Sequence, residues 1–260
     1  MENKHLPIGF MDSGVGGLSV LREAILKMPH ENFIFYGDNK NAPYGEKPEE
    51  EIRELSIACV EKLISEGVKM VVIACNTATT VAVRYLREHY ELPVISIEPA
   101  IKPALSAPGN KKVIVMATPT TLSQKRYFDL KERVGHQERL IEIPCAGLAK
   151  LVEKGDFESE ELKSYITNKL LPFSKEDVGG VVIGCTHYSF IAPLIKKIAS
   201  EIFRNEIEIH DGRYGTVRQI KRVLENSGLI TDSTENGSIR LLSSGGEESI
   251  SLMKKILFEE

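Results

Sequence analysis

The chain has 260 residues, of which 42% are hydrophobic and 27% are charged, as in an ordinary globular protein with one large or two smaller domains. Its net charge is −4 and it contains no block of Lys or Arg, so we expect no nucleic-acid partner. No apolar run approaches the roughly 18 residues of a membrane helix, and residues 1–10 lack the apolar stretch of a secretory signal. We therefore expect a cytoplasmic protein without a membrane partner.

Short apolar segments rich in Val and Ile alternate with longer segments of helical period. In chain order, the predicted strands are 7–11, 32–37, 70–75, 93–97, 112–117, 140–144, 180–185 and 206–210. The clearest predicted helices are 16–28 and 48–67; the second begins with Pro and acidic residues and ends at Gly67. Strands this apolar are buried on both faces, so the alternation predicts an α/β fold with parallel sheets.

The chain repeats part of itself. VVIACNTAT (71–79) and VVIGCTHYS (181–189) share a Val-Val-Ile-small-Cys pattern, and FMDSGVGGL (10–18) is weakly similar to VMATPTTLS (115–123). The cysteines of the two patterns, Cys75 and Cys185, are 110 positions apart (185 − 75). This spacing indicates two similar domains, since solenoid repeats have shorter periods of about 20–50 residues. We predict boundaries near Glu98 and Asn205, with residues 1–97 and 206–260 in the first domain and 98–205 in the second.

The chain has four cysteines and no CxxC spacing, so we expect free thiols in a reducing compartment. Cys59 lies on the apolar stripe of a predicted helix, and Cys145 lacks the repeated pattern; both are interpreted as core residues. Cys75 and Cys185 each end a strand just ahead of a predicted helix. Ligands of parallel sheets collect at this edge, and helix N–H groups there should lower a thiol pKa.

Two such thiols on opposite sides of a cleft could invert a stereocentre. One thiolate removes a proton from carbon, and the other group, as a thiol, returns a proton to the opposite face. The α-proton of an amino acid is a very weak acid, so the substrate carboxylate must lie among hydrogen-bond donors. The Asn and Thr residues that follow the two cysteines can supply such donors.

Four motifs resemble those of the glutamate racemases, within the aspartate/glutamate racemase superfamily: DSGVGGLSV (12–20), NAPYGEK (41–47), ACNTAT (74–79) and GCTHY (184–188). HDGRYGTVRQI (210–220) resembles that family only loosely. The resemblance implies two α/β domains related by a pseudo-two-fold axis, with the active site in the cleft between them. It also implies interconversion of L- and D-glutamate without cofactor or metal, a role in peptidoglycan synthesis, and a homodimer. By this analogy, Cys75 removes the α-proton of D-glutamate and Cys185 that of L-glutamate.

Asp12 ends the first strand and could handle the substrate ammonium or the proton near Cys75, although it could also cap a turn. His187 could assist Cys185 or simply hydrogen-bond the ligand. Asp38 and Glu153 are possible supporting acids, or else solvated or structural carboxylates. The resemblance implies these substrate-binding residues: Asp12, Ser13, Tyr44, Gly45, Asn76, Thr77, Thr186 and His187, with Thr118 and Thr121 as additional contacts.

Other functions fit parts of the pattern. Gly14–Ser19 after a strand, with Asp38 after the next, resembles a dinucleotide-binding turn, but Ser19 replaces the third glycine. A thiol phosphatase would need an arginine shortly after its cysteine to bind the phosphate oxygens. The segments after Cys75 (NTATTV) and Cys185 (THYSFI) contain none. A zinc site with Cys75, Cys185 and His187 would need a fourth ligand or water. A racemase of another amino acid such as aspartate, or a non-catalytic two-domain amino-acid-binding protein, remains as an alternative.

Overall fold

The computed structural model describes residues 2–106 and 109–258. The strands are β1 (Ile8–Asp12), β2 (Phe33–Gly37), β3 (Met70–Ile73), β4 (Val94–Ser96), β5 (Lys112–Ala117), β6 (Leu140–Pro144), β7 (Val178–Gly184), β8 (Glu208–Asp211) and β9 (Ile239–Ser243). The helices are α1 (Leu18–Lys27), α2 (Glu49–Ser65), α3 (Asn76–His89), α4 (Ile101–Ser106), α5 (Pro119–Ser123), α6 (Lys125–Val134), α7 (Leu148–Val152), α8 (Glu160–Leu170), α9 (Ala192–Phe203), α10 (Gly212–Asn226) and α11 (Gly246–Phe258).

The strands form two separate sheets, ordered β4-β3-β1-β2-β9 and β6-β5-β7-β8. Every strand pairing is parallel. In each sheet the strand that leads into one of the two duplicated cysteine segments, β3 or β7, pairs with the first strand of its half, β1 or β5. The predicted α/β fold with two parallel sheets is therefore confirmed.

The apolar strands are buried because helices cover both faces of the first sheet. Successive side chains of a strand point to opposite faces. Phe10 accordingly packs in a cluster with residues of α1, α10 and α11, whereas Met11 packs in another with residues of α2 and α3. The apolar side chains on both faces of the strand are thus removed from solvent, which explains why β1 has no polar alternation until Asp12.

The predicted division of the chain differs from the structure at one strand. The sequence predicts residues 206–260 in the first domain, but β8 pairs with β7 in the second sheet, with Val182 opposite His210. After β8 the chain goes back to the first domain: α10 packs against α1, and β9 pairs with β2 in the first sheet. We therefore propose domains of residues 1–97 plus 212–260 and residues 98–211.

β9 was not predicted at all. It is a short, half-exposed edge strand whose apolar side chains do not form a continuous buried run. Within the parts of the chain that the structure describes, no helix has both the length and the apolar character needed to cross a membrane.

Candidate active site

The motif residues gather at the carboxyl ends of four strands from the two sheets. Asp12 ends β1, Cys75 follows β3, Thr118 follows β5 and Cys185 follows β7. Parallel strands present their carboxyl ends at one edge, so each sheet contributes two of these positions to the same cleft. The side chains here are almost sealed from solvent: Cys75 is 5% exposed and Cys185 is 6% exposed.

Cys75 is the N-cap residue of α3. The backbone N–H of Ala78 donates to its sulfur at 3.4 Å, and the thiol donates to the Ser13 hydroxyl at 3.6 Å. Burial, followed by the negative charge of Asp12, nevertheless raises the pKa of Cys75 to about 12. The N–H of Ala78 at the helix N-terminus does lower this pKa, and the contact with Ser13 acts in the same direction, but burial outweighs both. The prediction of a net lowering of the thiol pKa is therefore wrong for Cys75. Cys75 is accordingly a neutral thiol in this conformation.

Cys185 lies beside an imidazole. Its sulfur is 3.8 Å from Nδ1 of His187, and Nε2 of His187 is 2.9 Å from a carboxylate oxygen of Glu153. Burial alone would lower the pKa of His187, but its hydrogen bonds to Cys185 and Glu153 raise that pKa well above the usual value. A protonated His187 therefore places a positive charge next to the Cys185 sulfur. The segment after Cys185 is a 3-10 turn (Thr186–Ser189), where the sequence predicted a helix start.

Asp12 connects the two halves of the cleft. Its carboxylate accepts a hydrogen bond from the backbone N–H of Gly14 at 2.9 Å and another from the Thr186 hydroxyl at 3.0 Å. Burial raises the pKa of Asp12, while the charge of His187 opposes that change. The charge of Cys185 contributes a smaller part of the rise in the pKa of Cys75. Thr186 directly follows Cys185, so its hydrogen bond to Asp12 brings the segment after β7 against the end of β1.

Three threonine hydroxyls from different elements form a second polar group. Thr118 caps α5 and lies 3.0 Å from the Thr77 hydroxyl; it also donates to Thr121 at 2.9 Å. Next to Thr77, the buried side chain of Asn76 has no hydrogen-bond partner for either of its amide atoms among the described residues. Since an unpaired buried amide costs about 1–3 kcal/mol, Asn76 is ready to bind a polar ligand.

Tyr44 and Asp38 contact each other, and the Tyr44 hydroxyl also lies 3.7 Å from the sulfur of Cys59. The Tyr44 hydroxyl donates to Asp38 at 2.6 Å, and Asp38 also accepts from Asn41 and from Ser244. Asp38 is therefore placed to hold the Tyr44–Glu46 turn, and the hydroxyl proton of Tyr44 is already donated to this carboxylate. Ser244 follows β9, so this part of the network was not predicted.

Two hydrogen bonds across the cleft were also missed. The Thr120 hydroxyl donates to the carbonyl of Gly45 at 2.8 Å, and the N–H of Gly147 donates to the Glu46 carboxylate at 3.1 Å. Both lie inside or beside motifs that the sequence singled out, but local patterns carry no sign of such long-range contacts. Cys59 and Cys145 are buried among apolar side chains. Over residues 2–106 and 109–258, no group of three His, Cys, Asp or Glu side chains is arranged to hold a metal ion.

The glycines after β1 allow the first half to approach the second. A Cβ atom on Gly16 would lie 2.5 Å from the Thr186 hydroxyl and 2.6 Å from Nδ1 of His187. Real Cβ atoms do not approach other atoms so closely, so the backbone at Gly16 fits against the cleft only without a side chain.

The substitution Gly16→Ala should destabilise the fold by about 1–3 kcal/mol and misplace His187, because the added methyl group overpacks the cleft. A matched control is Gly215→Ala, at an exposed position in α10 with no heavy atom closer than 3.9 Å. That change should stabilise by about 0.5–1 kcal/mol through helix propensity. Urea unfolding measures both values; equal effects of the two substitutions would contradict the close approach at Gly16.

Comparison with known proteins agrees with this site. Residues 12–211 match the family model described as Asp/Glu/Hydantoin racemase. A glutamate racemase from Clostridium perfringens is 45% identical over 257 residues, covering 98% of this chain and 97% of the relative. One from Clostridium acetobutylicum is 44% identical over 251 residues, 96% of each chain. The chain therefore belongs to the Asp/Glu/hydantoin racemase family.

Within that family, the fold of this chain is similar to solved structures of glutamate racemases. A glutamate racemase isoform from Bacillus anthracis superposes with a TM-score of 0.88 at 29% identity, covering 99% of this chain and 95% of the other. The Escherichia coli glutamate racemase, described in complex with L-glutamate and the activator UDP-MurNAc-ala, has a TM-score of 0.83 at 28% identity, with 97% and 94% covered. The resemblance of the motifs to the glutamate racemases is thus confirmed.

Proposed function

We propose that this protein is a glutamate racemase that interconverts L- and D-glutamate by proton transfer between two cysteines. The observation that carries the proposal is the placement of Cys75 and Cys185 in one closed cleft, each at the carboxyl end of a strand in its own sheet. The names of its relatives at 44–45% identity support the choice of substrate.

The two thiols have different surroundings, which suits them to different steps. Cys185, beside a His187 that favours the protonated state, removes the α-proton of L-glutamate as a thiolate. Cys75, whose pKa is raised, returns a proton to the opposite face as a thiol. In the reverse direction Cys75 removes the α-proton of D-glutamate, and Asp12 helps that thiol to lose its proton or contacts the substrate ammonium. Glu153 supports the reaction by holding His187 in place.

The remaining polar residues would bind the substrate and the charge that develops at its α-carbon. Hydrogen-bond donors that are already oriented stabilise an enolate-like carboxylate without reorganisation. The unpaired Asn76 amide and the threonine hydroxyl cluster supply such groups. The proposed set is Ser13, Tyr44, Gly45, Asn76, Thr77, Thr118, Thr121, Thr186 and His187. A cytoplasmic homodimer that supplies D-glutamate for peptidoglycan would fit this activity.

Polarimetry with purified protein tests the proposal. L-Glutamate should lose its optical rotation without any added cofactor, and L-aspartate and L-alanine should react far more slowly. A pocket discriminates one methylene by only about 1–3 kcal/mol, so aspartate should remain detectable. Faster racemisation of aspartate would reassign the substrate, and binding of glutamate without change of rotation would indicate a non-catalytic binding protein.

Solvent exchange tests the use of two groups. When L-glutamate racemises in heavy water, the D-glutamate formed should carry deuterium at its α-carbon, while recovered L-glutamate stays mostly protiated. The reason is that the group which removes the proton is not the group which returns one. Proton NMR of both enantiomers at early times measures this. Extensive early deuteration of the recovered substrate would indicate a single base instead.

A further inference from the structure

The turn that carries His187 is a short element with little hydrogen bonding of its own. Cys75 caps α3, a helix of 14 residues, whereas Cys185 is followed by a 3-10 turn of four residues, Thr186–Ser189. Such turns have poorer hydrogen-bond geometry than α-helices and occur only in short pieces. The orientation of Cys185 and His187 therefore depends on side-chain contacts that hold this turn to the rest of the molecule.

Two such contacts lie at the two ends of the turn. Thr186 donates to Asp12 at its start, and at its end the Ser189 hydroxyl donates to a carboxylate oxygen of Asp211 at 2.7 Å. Ser189 and Asp211 are both buried, at 6% and 7% exposed. A hydrogen bond from a hydroxyl group to a carboxylate is roughly twice as strong as one between neutral groups. The bond to Asp211 is therefore a firm attachment for the end of the turn.

Asp211 is itself fixed by the elements around it. It is the last residue of β8, where it pairs with Ile183 of β7, just ahead of Cys185. Its other carboxylate oxygen accepts from the backbone N–H of Arg213 at 2.9 Å and so caps α10. Asp211 thus lies beside the strand that precedes Cys185 and also binds the turn that follows it.

Asp211 also lies where the chain crosses between the two sheets. A Cβ atom on the next residue, Gly212, would lie 2.3 Å from the carbonyl oxygen of Glu98, so the two crossing segments are in contact here. The carboxylate of Glu98 accepts hydrogen bonds from Arg126 and Arg133 of α6. Through Asp211, the turn after Cys185 is therefore attached to the junction of the two crossings.

We propose that Ser189 and Asp211 are positioning residues for the Cys185 side of the reaction. Their hydrogen bond holds the turn so that Nδ1 of His187 stays beside the Cys185 sulfur, at 3.8 Å. In the described parts of the chain, neither side chain hydrogen-bonds to Cys185 or His187, so both act through the turn. The role rests on the proposed function, since it concerns the proton that Cys185 exchanges with L-glutamate.

Kinetic isotope effects test the role of Ser189. Ser189→Ala should lower kcat/KM by about 10- to 100-fold with either enantiomer, because a displacement of about 1 Å can cost about 10²-fold in rate. With L-glutamate deuterated at its α-carbon, the isotope effect on kcat/KM should rise, because proton removal by Cys185 becomes the slower transfer. With deuterated D-glutamate it should fall, because removal by Cys75 limits the rate less. A smaller fraction of folded protein would change neither isotope effect.

Ser56→Ala is the matched control. Ser56 is also buried, and its hydroxyl donates at 2.7 Å to the carbonyl of Ile52 within α2. This variant should keep kcat/KM within about threefold and leave both isotope effects unchanged, because the bond that it loses lies inside one helix. Circular dichroism confirms that both variants are folded. Unchanged isotope effects in Ser189→Ala, or the same changes in Ser56→Ala, would overturn the proposal.

Substitutions at Asp211 separate the bond to Ser189 from the cap of α10. Asp211→Ser keeps a good N-cap residue, but its single short hydroxyl cannot reach both partners, so this variant should reproduce the isotope effects of Ser189→Ala. Asp211→Asn can meet both partners and should keep kcat/KM within about threefold. The double variant Ser189→Ala with Asp211→Ser should lose no more than either single variant, since both remove one contact. Additive losses would refute the shared role.

The NMR signals of the histidine rings give a readout that needs no turnover. The chain has six histidines, and the signals of His187 are those lost in His187→Gln. Ser189→Ala should shift or broaden them, and Ser56→Ala should leave them in place. Unchanged His187 signals in Ser189→Ala would overturn the proposal even if the chain racemises glutamate. Failure of the unaltered chain to racemise glutamate would instead refute the proposed function, and the His187 signals would still decide whether Ser189 positions that ring.

Discussion

Replacing either Cys75 or Cys185 with serine should lower the kcat for racemisation of glutamate by at least about 10³-fold, or about 4 kcal/mol of barrier. Serine preserves the size of the side chain and its hydrogen bonds, but its hydroxyl is far too weak an acid to exchange protons near neutral pH. Both positions are buried and capped by local contacts, so the fold should survive the change. Polarimetry with each enantiomer measures the loss in both directions.

Cys145→Ser is the matched control for these variants. Cys145 is as buried as the other two and donates from its sulfur to the carbonyl of Ile143, a bond that serine can also make. We expect this variant to keep its kcat within about threefold, since a substitution that keeps its hydrogen bond removes little. Near-normal turnover in Cys75→Ser or Cys185→Ser would refute the role of that thiol. Equal loss in Cys145→Ser would point to damage of the core instead.

Asp12→Asn should lower kcat by about 10²-fold or more, because it removes a buried negative charge near Cys75 and His187. The amide oxygen of asparagine can still accept a hydrogen bond from the N–H of Gly14, and its NH₂ group can donate one to the Thr186 hydroxyl. The geometry should therefore change little. The decrease in kcat would then reflect the loss of the Asp12 charge and not a change in the geometry of the site.

An independent measurement follows from the pKa of Cys75. The negative charge of Asp12 is one of the two main causes that raise it, so Asp12→Asn should lower that pKa from about 12. The rate of Cys75 alkylation as a function of pH measures the shift, since thiolate is the reacting form. Asp38→Asn is the control, because Asp38 binds Tyr44 and is not among the causes of the shift. An unshifted Cys75 in Asp12→Asn would contradict the proposed coupling.

The substrate must reach residues that are almost completely enclosed. The bonds from Thr120 to Gly45 and from Gly147 to Glu46 close the cleft from both halves of the chain. In the proposed reaction, removal of water from the site strengthens every electrostatic contact with the carbanion that develops at the α-carbon. Enclosure also changes the pKa values of the acid–base groups, since burial is the largest cause of the raised pKa of Cys75.

Local sequence patterns were sufficient to predict the fold class and the positions of Cys75 and Cys185 at strand ends. Runs such as VVIAC and VVIGC are buried on both faces of a sheet, and that requirement acts on each strand independently of its neighbours. The repeated pattern around Cys75 and Cys185 then identified two equivalent positions at strand ends. These features depend on side-chain period and spacing alone, which one sequence displays directly.

Only the tertiary structure decided how those elements combine. β8 joins the second sheet and β9 the first, although both are short edge strands, because edge pairing depends on where the chain returns in space. The Tyr44 hydroxyl binds Asp38, which Ser244 also holds from a segment some two hundred residues away. The thiol pKa of Cys75 likewise follows from its enclosure by both halves. Strand periods are local, whereas partner choice and desolvation are properties of the assembled molecule.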